Sequence, residues 1–136
     1  MQKRKKYVEF EENNGTVLRY FRHENGGGLI ASSSEVDPTA FVESSAYVES
    51  GATVRPRARV LTGAWVDRDA GIREDAVVGS AAHVGPRAVI GRGALLGPRV
   101  KVGADARVGA GVRLAADATV PERGRVPSQR TARHAA

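Results

Sequence analysis

The sequence predicts an all-β protein built as a triangular prism of stacked coils, and three observations carry that prediction. Sixteen consecutive positions at a step of six, from Ile30 through Val36 and Val42 to Leu114 and Val120, are Ile, Leu or Val. These types make up 27 of the 136 residues, so chance gives the run odds on the order of one in 10¹¹. Two positions before each aliphatic sits a small residue, from Ala40, Ala46 and Ala52 to Ala106 and Ala118, with Val100 and Val112 as larger members and Ser34 as a polar first one. The third observation is punctuation: Pro38, Pro56, Pro86 and Pro98 lie two positions after an aliphatic, and Gly51, Gly63, Gly93 and Gly111 lie three after.

A helix cannot use a period of six, because successive aliphatics would rotate around its axis. A strand can, provided the chain turns a corner once per repeat. The aliphatic residue and the small one two before it then point inward, while their neighbours point out. Pro and Gly suit the corners and would damage the strands between them. Three repeats make one coil of 18 residues, and about five coils stack along residues 30–120.

Residues 1–29 read as a basic leader followed by a hairpin and a joint. Tyr7 to Phe10 and Val17 to Phe21 alternate apolar and polar, and Asn14-Gly15 between them is a strong hairpin turn. An open strand edge at the end of a coil stack invites uncontrolled pairing, so the hairpin is expected to cap the first coil. Residues 121–136 contain Pro121, Pro127 and four arginines without apolar periodicity, which predicts a flexible basic tail.

The strings SAYVESGATVRPRARV and AVIGRGALLGPRVKVGADARVGAGV resemble the hexapeptide-repeat, left-handed parallel β-helix proteins over residues 30–120. That resemblance implies left-handed crossovers, against the usual right-handed rule, and trimers packed side by side. For activity it leaves several classes open, because the same prism serves acyltransferases, carbonic anhydrases and purely structural modules. The expected fold is thus an all-β, left-handed parallel β-helix with an N-terminal β-hairpin cap and a basic C-terminal tail.

Residues 18 apart stack directly above one another, so each outer wall can be read as a column. One wall carries Tyr47, Trp65, His83 and Lys101 immediately before its inward valines. Another carries Phe41, Arg59, Val77, Leu95 and Arg113, with Leu61 beside them. Contiguous outward apolar residues suggest a partner surface, which makes Phe41, Leu61, Val77 and Leu95 the expected oligomer interface. Charge is polarised along the axis: residues 30–50 carry Glu35, Asp37, Glu43 and Glu49 without a base, whereas six cations and two aspartates lie within residues 84–120. This polarity allows a head-to-tail assembly or an acidic partner at the basic end.

Composition narrows the chemistry. With no Cys there is no disulfide framework, thiol nucleophile or Cys-ligated zinc. A carbonic-anhydrase centre needs three imidazoles; the prism holds His83 alone, with His23 in the joint and His134 in the tail, so no metal site is expected. No apolar run approaches a membrane span and no hydrophobic segment follows the basic start, which predicts a cytoplasmic protein with no membrane partner. The net charge of +6 is too modest to make nucleic acid the expected partner.

Because the repeats account for nearly every residue, the expected function is a structural or self-assembling, partner-binding module without an evident catalytic site or cofactor. The alternative is a small trimeric acyltransferase in which His83 is the general base and an acyl-CoA-type thioester is co-substrate. In either case Tyr47, Trp65 and Lys101 are the candidate substrate-binding or partner-binding residues.

Overall fold

The computed structural model describes residues 7–11 and 15–128, so the hairpin's Asn14 and the last eight residues lie outside it. Among the described residues there is no helix, and therefore none long and apolar enough to cross a membrane. Three longer strands come first: β1 (Tyr7–Glu11), β2 (Val17–Arg22) and β3 (Leu29–Ala31). Sixteen strands of two residues follow, one every six residues, from β4 (Glu35–Val36) to β19 (Arg125–Val126).

They form three parallel walls. The first contains β6 (Tyr47–Val48), β9 (Trp65–Val66), β12 (His83–Val84), β15 (Lys101–Val102) and β18 (Thr119–Val120). The second contains β5 (Phe41–Val42), β8 (Arg59–Val60), β11 (Val77–Val78), β14 (Leu95–Leu96) and β17 (Arg113–Leu114). The third runs from β4 through β7 (Thr53–Val54), β10 (Gly71–Ile72), β13 (Val89–Ile90) and β16 (Arg107–Val108) to β19. The register is 18 residues throughout, as in Trp65 opposite His83 and His83 opposite Lys101. This is the parallel β-helix of about five coils that the repeat predicts.

The interior is a single column of alternating small and branched side chains. Ala58, Val60, Ala64, Val66, Ala76, Val78 and their equivalents are fully buried. Branched aliphatics suit a pleated surface, and each buried Val contributes roughly 1.5 kcal/mol or more of hydrophobic stabilisation. Every corner from Gly51 to Arg123 has left-handed φ, between 57° and 76°, at four glycines and at nine other residues such as Arg57, Ala81 and Asp105. Three of these corners bind the coil above through an Arg–Asp pair: Arg57–Asp75 at 3.0 Å, Arg87–Asp105 at 2.9 Å and Arg99–Asp117 at 2.8 Å.

The N-terminal segment supplies what a missing coil would have supplied. In higher coils the alanine carbonyls accept from the coil below, as Ala58 O does from Phe41 N at 2.9 Å. Ala40 O has no coil below it. It accepts instead from His23 Nε2 at 2.9 Å and Asn25 Nδ2 at 3.1 Å, while Gly28 N serves Val42 O at 2.8 Å and Leu29 N serves Ala46 O at 3.0 Å. A buried polar group must be satisfied, which accounts for His23 at 6% exposure. The hairpin strands β1 and β2 continue the first wall edge to edge beyond β3, with Tyr20, Leu29 and Ala31 forming a small second core.

At the other end the coil runs further than the residue 120 boundary read from the sequence. β19 pairs in register with β16, Val126 opposite Val108, so Val126 is another member of the six-residue series and residues 121–126 belong to the prism, not to a tail. Pro121 and Pro127 obscured this by looking like breakers. In lower coils the residue after each aliphatic donates its N–H upward, as Gly103 N does to Val120 O at 2.8 Å. Among the described strands β18 and β19 lie at the edges of their walls, where a proline after the aliphatic breaks no ladder hydrogen bond and blunts the edge.

Candidate active site

The first wall presents Tyr47, Trp65, His83 and Lys101 on its outer surface, as the column reading requires. Its chemistry comes from side chains one position beyond each inward valine. Asp67 follows Val66 and lies diagonally beside His83 of the next coil, with Oδ2 at 3.0 Å from His83 Nε2. Asp67 is largely buried, with its side chain 16% exposed, and His83 is one-third exposed. Asp67 Oδ1 accepts from Arg68 N at 2.7 Å, which fixes the carboxylate from the backbone. The imidazole also stacks on Trp65, centroids 4.3 Å apart and planes inclined by 21°.

A carboxylate can only accept from the ring, so Nε2 carries a proton, and in the neutral imidazole Nδ1 then holds the lone pair. This is the arrangement that orients a histidine base and stabilises the imidazolium as it forms. His83, the one histidine of the prism, therefore has a carboxylate partner that the column reading did not supply. Asp67 itself was overlooked. The signal was present as a spacing of 16 residues, one coil minus two, which puts the residue after one inward valine diagonally across from the residue before the next. Glu49 and Trp65 repeat it one coil lower, with Trp65 Nε1 donating to Glu49 Oε2 at 2.7 Å.

One coil higher the pattern stops. The position equivalent to Asp67 is Gly85, and above it Gly103. A Cβ at Gly85 would meet Val102 O at 2.8 Å, and one at Gly103 would meet Glu122 N at 2.5 Å. Tight stacking of the coils thus requires glycine, and the missing side chains leave a groove of about 300 Å³ that begins at His83 and is lined by Lys101, Gly103, Thr119, Pro121 and Glu122. Lys101 has no ion-pair partner among the described residues. A larger hollow of about 370 Å³ lies against Ser34, Glu35, Asp37 and Arg55 at the free edge of β4 and contains no histidine.

Other expected residues separate from this site. Phe41, Leu61, Val77 and Leu95 lie on the second wall; Leu95 is exposed at 38%, while the other three are half-buried in a single chain. His23 serves the first coil's end. Among the described residues no group of His, Asp and Glu is placed to hold a metal ion.

Residues 87–122 match the profile of the bacterial transferase hexapeptide, six repeats. With the coil geometry above, the chain carries six-residue repeats wound into a parallel β-helix. No curated protein matches the sequence. Among solved structures it is similar to PerB from Caulobacter crescentus in complex with CoA and GDP-perosamine, at 28% identity over 68% of this chain and 51% of that one, TM-score 0.44. The acetyltransferase domain of PglB from Neisseria gonorrhoeae in complex with acetyl coenzyme A is 25% identical over 71% and 55%, TM-score 0.28. A hexapeptide transferase family protein from Anaplasma phagocytophilum is 14% identical over 73% and 69%, TM-score 0.40. The chain thus spans about half the length of the first two.

The expectation of a structural module without an evident catalytic site is corrected by the wall itself, which holds a histidine–carboxylate pair beside a groove. With TM-scores of 0.44 and below, the case for this chain itself rests on its own His83–Asp67 geometry.

Proposed function

We propose that the protein is an acyltransferase that moves an acyl group from a coenzyme A-type thioester to an amine or hydroxyl, with His83 as general base. The observation that carries this reading is the His83–Asp67 hydrogen bond at 3.0 Å beside a groove opened by Gly85 and Gly103. His83 Nδ1 takes the proton from the acceptor N–H or O–H as the acceptor atom attacks the thioester carbonyl. The C–S bond then breaks, and the imidazolium returns the proton to the departing thiolate. Asp67 holds the ring and its tautomer and balances the transient charge. Lys101, in register with His83 on the next strand and about 4.8 Å along the ladder, is placed to hold an anionic group of either substrate.

The same reading takes the chain as a homo-oligomer, with Phe41, Leu61, Val77 and Leu95 at the subunit contact. Exposed Leu95 supports it, and light scattering after size exclusion tests it: a sharp multimer that Leu95→Arg dissociates is expected, and a wild-type monomer overturns it.

For the activity, acetyl-CoA is incubated with a panel of amino and hydroxy compounds, with and without an anionic group, and thiol release is followed. Transfer that falls by about 10²-fold or more in His83→Ala is the expected result. Transfer unchanged in that variant, or absent for the whole panel, overturns the reading.

A further inference from the structure

The hydrogen bonds on the first wall do not end at His83. Tyr20, on β2 of the hairpin, donates its hydroxyl to Glu49 Oε1. The other oxygen of that carboxylate, Oε2, accepts from the Trp65 indole at 2.7 Å, and the indole face is the stacking surface of the His83 imidazole at 4.3 Å. Tyr20 is itself held, being 4% exposed and packed edge-on against Phe10 at 5.3 Å and Tyr47 at 6.4 Å. One side chain from the hairpin and three from consecutive levels of the wall thus run in series to the candidate base.

We propose that Glu49 and Tyr20 are positioning residues for the His83 imidazole, acting through the Trp65 indole, so that the N-terminal hairpin is a working part of the site. This inference rests on the acyl-transfer reading for its consequence, but not for its geometry.

The physical reasons are two. Trp65 is 43% exposed, and an exposed indole with no fixed partner samples several rotamers. Its N–H bond to Glu49 selects the one in which the ring lies parallel to His83 and keeps Nε2 aimed at Asp67. A carboxylate on the indole N–H also adds electron density to the ring, which strengthens its hold on a cation over its face, and the imidazolium formed during transfer is such a cation. Tyr20 completes the device because Glu49 has two oxygens and two donors. With one oxygen tied to the hairpin, the other cannot swing away from the indole. Loss of alignment by a fraction of an ångström at a base is expensive in rate, although neither residue touches substrate.

The test uses the full chain, isotopically labelled. It has three histidines, so the His83 ring signals are assigned by single substitution. Stacking on an indole displaces the His83 Hε1 and Hδ2 resonances upfield, a signature that a merely structural role for Glu49 would not move. Glu49→Ala is expected to relax that displacement and to lower kcat about 5- to 20-fold, with KM for acetyl-CoA within about twofold. Tyr20→Phe keeps the packed ring and loses only the donor; the same changes are expected, about 2- to 5-fold in kcat. The double variant is expected to be no worse than Glu49→Ala alone, because the two act in series. His83 ring resonances unmoved in Tyr20→Phe and in folded Glu49→Ala overturn the proposal, as do resonances that move while kcat does not. If the protein transfers no acyl group at all, the acyl-transfer reading falls, and the ring resonances still decide the positioning.

Discussion

The two halves of the prism share one interior and differ at one outward position, the residue directly after each inward aliphatic. In the lower half that residue is large: Asp37, Glu43, Glu49, Arg55, Leu61, Asp67 and Arg73. In the upper half it is Gly79, Gly85, Gly91, Gly97, Gly103 and Gly109, before Ala115 and Pro121 close the series, and a Cβ at each of these glycines would come closer than 3.0 Å to backbone of the coil above. The lower coils leave room for side chains that bind their own corners, as Asp37 does with Thr39 N at 2.8 Å and Glu43 with Ser45 N at 2.8 Å. The upper coils pack backbone on backbone. His83 lies where the two regimes meet on the first wall. Its lower neighbour is the last carboxylate of the series, and its upper neighbour is the first glycine. The difference teaches that a solenoid with uniform walls builds a site by changing its decoration partway up, with no inserted loop.

Abolishing the boundary from below has the largest expected effect. Asp67→Asn keeps the shape and removes the charge that sets the His83 tautomer, so acyl transfer should fall by at least about 100-fold while the melting temperature stays close to wild type. Activity assays beside thermal melts decide it. Extending the lower decoration upward comes next. Gly85→Ala and Gly103→Ala push a methyl into backbone, and each should cost about 1–3 kcal/mol, whereas Arg73→Ala in the lower half should stay within about 0.5 kcal/mol. Denaturant titrations of the three variants measure the contrast, and equal costs would erase it.

A smaller gain is expected at a corner. Ala81 has φ of 59°, a conformation that costs an ordinary residue about 1 kcal/mol and glycine almost nothing. Ala81→Gly should therefore stabilise the chain by up to that amount, against the usual sign for glycine, as read from the shift in denaturation midpoint.

The smallest effect separates two sets of corner carboxylates by salt and pH. Asp75, Asp105 and Asp117 are held below the ordinary carboxylate range, chiefly by hydrogen bonds from Arg57, Arg87 and Arg99. Asp37 and Glu43 are held below it chiefly by the hydroxyls of Thr39 and Ser45, together with those residues' N–H groups. For a carboxylate lowered in this way the unfolded chain binds more protons. Its contribution is therefore fully present at neutral pH and is lost as pH falls below about 4 toward the folded-state value. Salt distinguishes the two sets, because at 1 M the screening length is about 3 Å. Melting curves should show Asp105→Asn approaching wild type in high salt, while the small effect of Asp37→Asn persists.

Much of the site was legible before any coordinates. The period of six assigned Tyr47, Trp65, His83 and Lys101 to one column, and the structure has them in register on one wall. Val126 escaped because Pro121 and Pro127 flank it. A proline after the aliphatic is forbidden inside the stack, where that N–H is used, and allowed at its top. Asp67 and Glu49 escaped because column reading follows vertical neighbours, and both act along the diagonal. His23, assigned only to the joint, escaped as the group that serves Ala40 O, since nothing in the repeat marks that carbonyl as the one left without a coil below.

The sequence by itself determined the coil, its three walls and which side chains face out of each. With strands of two residues and strict alternation, a slip of one residue would turn every valine to solvent, so only one register is stable. Tertiary structure decided which outward groups meet. Whether Asp67 reaches His83, or Glu49 reaches both Trp65 and Tyr20, depends on side-chain rotamers and on the packing of the hairpin against the first wall. Those are set by contacts between residues far apart in the chain, to which a repeat of six is blind.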